Sequence, residues 1–238
     1  MRFPTMKKTL SFALSLFLIT AAHAQNEGRS VRFGIKLAPN MGWVKPDTKG
    51  LKKGGSKFGY SFGLMGDFMI GGNGNYAFAT GVLLNNIGGK LTTPVTVNGD
   101  SKDLETELHL RYIEIPLTMK LKTSEIGYMT YYGQIGVSAA FNIRAKADFE
   151  TVDQTTNKVV LVEDEDVADD VSMFKAALVV GGGLEYNFSG NTSLLVGVTY
   201  NGAFTNLYDG LEYIDENGSK KDVKAFANYI ELTTGVFF

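Results

Sequence analysis

Cysteine is missing from all 238 residues, histidine occurs twice and tryptophan once. Without cysteine there is no disulfide framework and no lipobox for a lipid anchor. With so little histidine, the usual His-based metal centres and acid-base catalysts have almost nothing to be built from. Charge of one sign is also lacking, because the formal net charge is −2, so general affinity for nucleic acid is excluded. Past residue 24 the chain has no apolar run near the roughly 18 residues that a membrane helix needs.

What is present is alternation. In the stretch Leu108 to Leu121, the residues Arg111, Ile113, Ile115, Leu117, Met119 and Leu121 share one parity, while Tyr112, Glu114, Pro116, Thr118 and Lys120 share the other. An extended strand sends alternate side chains to opposite faces, so one face is apolar and the other carries charge. The pattern predicts eight strands: 31–43, 58–70, 76–86, 108–121, 131–147, 173–188, 193–204 and 226–238. Tight-turn compositions such as Gly71-Gly72-Asn73-Gly74-Asn75 and Ser189-Gly190-Asn191 alternate with longer polar connections at 44–57, 88–103, 148–170 and 207–224. Pro116 has no ladder donor, so a bulge or an unpaired position is expected there.

Alternating short and long connections, strands of bilayer length and an even strand count predict an all-β fold, an eight-stranded antiparallel up-and-down transmembrane β-barrel. The opposite placement, apolar side chains inward as in a soluble ligand barrel, fails on volume. An eight-strand lumen barely holds side chains, yet it would have to take the Phe, Tyr, Leu and Ile while Gly and Ser covered the outside. The outward aromatics then sort into two girdles. Phe33, Phe68, Tyr76, Phe78, Tyr131, Tyr186, Phe188 and Phe238 fall at the end with short turns; Trp43, Phe58, Tyr60, Phe174, Phe204 and Phe226 fall at the end with long loops.

The lumen is expected to hold Arg32, Lys36, Asp67, Glu114, Lys120, Arg144, Lys175, Glu185 and Glu231. Both signs are present, so the charges are expected to pair and plug the interior rather than line an open channel. Ahead of the strands, Lys7 and Lys8, the apolar run Leu10 to Ile19 and Ala22-His23-Ala24 read as a secretory signal over 1–24 with cleavage after Ala24, leaving 25–238 as one outer-membrane domain. Met6 is a second possible start. Both termini are expected on the periplasmic side.

Tyr112-Ile113-Glu114-Ile115-Pro116-Leu117, with Lys120 after it, resembles the signature of the PorT-like outer-membrane β-barrel family of Bacteroidota, and Tyr112, Glu114 and Pro116 are its motif residues. Gly34 to Asn40 and Gly181 to Tyr186 are similar to segments of the same family. The resemblance implies an eight-stranded outer-membrane barrel without catalytic residues, and its namesake takes part in type IX protein secretion.

Chemistry is sparse. His109 has outward parity near the loop end and reads as a rim residue rather than a catalytic base. Gly181-Gly182-Gly183 lies within a strand, so it is no phosphate loop. Glu163, Asp164, Glu165, Asp166, Asp169 and Asp170 are weak candidates for a hard cation; they lack EF-hand spacing and read better as a solvated loop. Lys45, Lys49, Lys52 and Lys53 of the first connection are candidates to meet lipid phosphates but read better as a solvated loop. No enzyme, cofactor or nucleic acid is expected. The expected partners are outer-membrane lipid and lipopolysaccharide, with other envelope or secretion proteins in second place, and a monomer is expected. A structural or interaction role leads; export or envelope biogenesis is the alternative, with an outer-membrane enzyme and a small pore behind.

Overall fold

Alternation of this kind satisfies its backbone only if every strand finds two neighbours, and in the computed structural model every stave does. Residues 31–48, 51–72, 74–97, 100–153, 158–189, 192–214 and 220–238 are described; the leader, its cleavage site, Met6, Lys49 and part of the Ser189 to Asn191 turn lie outside them. The strands are β1 (Val31–Pro46), β2 (Lys52–Ile70), β3 (Tyr76–Val97), β4 (Asp100–Lys122), β5 (Met129–Val152), β6 (Val159–Asp166), β7 (Phe174–Ser189), β8 (Thr192–Ala203), β9 (Glu212–Ile214), β10 (Lys220–Asp222) and β11 (Ala225–Phe237). Eight of them form a ring in the order β1-β2-β3-β4-β5-β7-β8-β11, with β11 pairing back onto β1 from Gly34↔Phe237 to Pro46↔Ala225. Closure leaves the ring without edges, as a hydrocarbon environment demands. Gly127, at φ +67, makes the β4–β5 turn in a conformation that residues with a Cβ rarely adopt.

The faces are assigned without ambiguity. Phe62 and Val198 are 43% and 50% exposed, whereas Glu114 and Lys175 are 2% and 4% exposed, so the apolar residues form the outer wall and the charges lie within. Both predicted girdles lie on that outer wall, and Tyr128 with Tyr186 and Phe188 extends the one at the turn end. At Pro116 the β3–β4 ladder skips two pairs: Thr80↔Leu117 is followed by Leu83↔Glu114 with no change of register, so the expected irregularity is an unpaired site and not a bulge.

Three of the predicted loops are corrected, the first being 44–57, since β1 runs on to Pro46 and β2 already begins at Lys52. Much of 88–103 and 148–170 is strand: β3 and β4 stay paired out to Val97↔Asp100, and the far half of β5 leaves the ring to pair with β6 from Lys146↔Asp166 to Val152↔Val159. The 23 residues of β4 reach about 75 Å, against about 30 Å of hydrocarbon, so its arm continues well past the bilayer. In that arm the polarity of the two faces inverts. Inward positions become Leu110, Leu108, Leu91 and Ala147, while outward positions become Arg111, His109, Glu107 and Lys90. The strand boundaries read from the sequence stopped where this inversion begins.

Candidate functional site

The lumen has two halves of opposite chemistry. Toward the turn end, β1, β2, β4 and β7 place Arg32, Asp67, Lys120 and Glu185 on inward positions. Arg32 reaches Asp67 at 2.8 Å and Glu185 at 2.9 Å, and Lys120 reaches Asp67 at 3.0 Å and Glu185 at 2.7 Å. Lys122, which the sequence reading left out because it ended the strand at Leu121, adds a third cation to Glu185 at 3.0 Å. Aromatic faces take up the remaining field: Arg32 sits 4.4 Å from the Phe237 ring centre and Lys120 4.5 Å from that of Tyr132. Gly197 is small for this reason, since a Cβ there would lie 2.3 Å from the Tyr132 hydroxyl.

Midway, Lys36 pairs with Glu231, which also accepts from Ser61 and Thr233. Glu114, from the Tyr-Ile-Glu-Ile-Pro-Leu motif, accepts from Asn85 at 2.8 Å, Asn201 at 2.9 Å and the Tyr229 hydroxyl at 2.9 Å. It thereby ties β3, β8 and β11 to β4. Lys175 donates to Asn201 at 3.3 Å and lies between the rings of Tyr112 and Tyr229, so a single amide bridges the two buried charges. A cavity of about 60 Å³ among Lys36, Thr118, Tyr132 and Thr199 has room for a few waters, and a second, of about 260 Å³, lies toward the loop end among Leu91, Leu108, Ala147 and Val223.

Toward the loop end the lumen is apolar. Val44, Ile87, Leu91, Leu108, Leu110, Tyr112, Ala145 and Ala147 pack with Val171, Leu207, Ala225 and Tyr229. This inner apolar plug was not expected from the sequence, which was read with a polar lumen throughout. Asn206 fixes its cover: its amide donates to the carbonyls of Tyr208 at 2.8 Å and Val223 at 2.9 Å, and its oxygen accepts from Ala225 N–H at 2.9 Å. Asn206→Ala is expected to cost about 1–3 kcal/mol locally. The measurable result is faster amide exchange at Leu207 and Ala225, with the barrel itself still resisting detergent.

Arg144 is the second correction. It does not join the lumen network, because the β4–β5 register slips between Arg111↔Arg144 and Tyr112↔Asn142. The extra residue reverses parity and turns Arg144 to the outer wall beside Arg111, where it is exposed. The neighbouring outward positions form a charged rim. Lys57 Nζ donates to Glu107 and lies 2.6 Å from His109 Nδ1, while His109 Nε2 lies 2.9 Å from Asp148. An ammonium has only protons to give, so Nδ1 accepts and Nε2–H faces the carboxylate. His109 is thus a rim residue held at both nitrogens. Lys57 pulls the Glu107 carboxyl below its ordinary range, and the Asp164 N–H, then His109, does the same for Asp148. Each adds stability above its unfolded value that is lost as pH falls through the depressed one.

The acidic run does not converge. Glu163 to Asp166 lie along β6, Asp164 adopts φ 60 and pairs with Lys146, and Asp170 donates its N–H to the Val167 carbonyl. Among the described residues no group of three or more His, Asp or Glu side chains could hold a metal.

A closed ring with an apolar outer belt and its charges inside defines a membrane-spanning β-barrel. The chain belongs to the family described as outer membrane protein beta-barrel domain, which residues 23–209 match, and its location is the outer membrane. Similar solved structures include Neisserial surface protein A, at 14% identity and TM-score 0.42, covering 86% of this chain and 95% of that one. Ail, the attachment invasion locus protein of Yersinia pestis, is 17% identical with TM-score 0.35, over 90% and 100% of the two chains. The outer membrane protein OprG from Pseudomonas aeruginosa is 14% identical with TM-score 0.35, over 87% and 93%. No curated protein matches the chain.

Proposed function

We propose that this protein is a plugged, non-conducting barrel that anchors an exposed β platform, the arms of β2 to β6, and acts as a structural or interaction protein through it. The observation that carries this reading is that two successive plugs cross the lumen, buried ion pairs toward one end and an apolar core toward the other. The turn end then faces the periplasm with both termini, and the arms face outward. An export role, suggested by the PorT-like motif, has no residue of its own here: Tyr112 and Glu114 are occupied in closing the lumen, and Pro116 sits at the ladder gap. The purified protein in a planar bilayer is expected to give no regular unitary current steps. Such steps in the wild-type protein, lost when a lumen charge is reversed, would overturn the reading.

A further inference from the structure

The outer wall at the loop end is ordered by rows. Ile113 and Phe141 are cross-strand partners on the apolar belt; the next outward row is Arg111↔Arg144, then His109↔Lys146, then Glu107↔Asp148. From the membrane outward the rows therefore run hydrocarbon, two guanidiniums, an imidazole with an ammonium, carboxylates. Each carboxylate has a partner of its own: Glu107 has Lys57 and Lys90, Asp148 has the His109 ring, Asp164 has Lys146. The two arginines nearest the belt do not. Arg111 donates only to Asn86, at 2.7 Å, and neither guanidinium joins an ion pair among the described residues. Like charges directly opposite on a sheet repel, and a register slip placed this pair there. Lys57, His109, Arg111, Arg144 and Lys146 line a concavity of about 310 Å³ over them, with Asp164, the partner of Lys146, at its wall.

We propose that this concavity is a docking site for the phosphate group of a lipid in the surrounding leaflet, bound by Arg111 and Arg144, with its acyl chains against Ile113 and Phe141. Planar guanidiniums match phosphate oxygens two at a time, and a phosphomonoester carries the charge to satisfy both. A soluble phosphate would gain nothing from the belt directly below. Glu107 and Asp148 lie in the outermost row, away from the headgroup, and Asp164, which borders the concavity, is taken up by Lys146. This rests on the barrel spanning the bilayer with its arms outward.

The test uses the full-length barrel in phosphatidylcholine discs with phosphatidic acid added, and native mass spectrometry of the lipids retained. The wild-type protein is expected to keep phosphatidic acid over phosphatidylcholine by about tenfold or more, and R111Q/R144Q to lose that preference while still inserting and shifting on boiling. An equal preference in the double variant overturns the proposal and leaves the barrel reading intact. So does displacement of the lipid by inorganic phosphate alone. Failure of both proteins to enter discs would sink both readings.

Discussion

Glu185→Ala is expected to lower the stability of the folded barrel by about 3–5 kcal/mol, the usual cost of removing one partner from a buried ion group. Glu185 is 3% exposed and faces Arg32, Lys120 and Lys122, so its loss leaves Arg32 and Lys120 sharing Asp67 and takes from Lys122 its ion pair. The measurement is the urea midpoint of the form that migrates anomalously before boiling. Lys122→Met added to Glu185→Ala is expected to restore part of the loss, because it removes a cation that has become surplus. An unchanged midpoint in the single variant would mean that the interior charges are wetted and screened, and that the plug is not closed.

Leu64→Arg is expected to cost about 2–4 kcal/mol, the penalty of a guanidinium on the lipid face near the bilayer midplane. Leu64 is 57% exposed and pairs with Ile35 and Val82, both outward. On a soluble sheet the same change at so open a position would be close to neutral. Asp103→Arg is the comparison. Its side chain is outside the belt on the β4 arm, with a 3.6 Å contact to Lys52, and reversing it is expected to shift stability by no more than about 0.5 kcal/mol. Equal effects of the two changes would remove the membrane assignment.

How far such residues can be placed from sequence depends on whether parity holds. Along Phe58 to Ile70 it holds without a break, and every large outward residue stands exposed as alternation requires. Glu114 and Lys175 were legible for the same reason. Parity fails at one added residue, and Arg144 was misplaced because nothing local distinguishes the bulge at Ile143, between Asn142 and Arg144, from regular strand. The arms were hidden by a different cause. Strands were recognised by apolar outward positions, and once a strand leaves the lipid its outward positions turn polar, so Glu105 and Glu107 were left out of the strand while Leu108 and Leu110 faced an apolar interior. The Glu114 hub was unreadable in detail, since Asn85, Asn201 and Tyr229 come from three strands that only the closed ring brings together.

The pairing of Gly34 with Phe237 has a consequence for how the molecule comes into being. The ring is sealed by its earliest and latest strands, so a chain emerging from its N-terminus carries two unpaired margins until its final residues are made. Such margins invite pairing with other chains, and joining contacts so distant in sequence is slow. Biogenesis must therefore shelter an open, unfinished cylinder for the whole period of synthesis and transit.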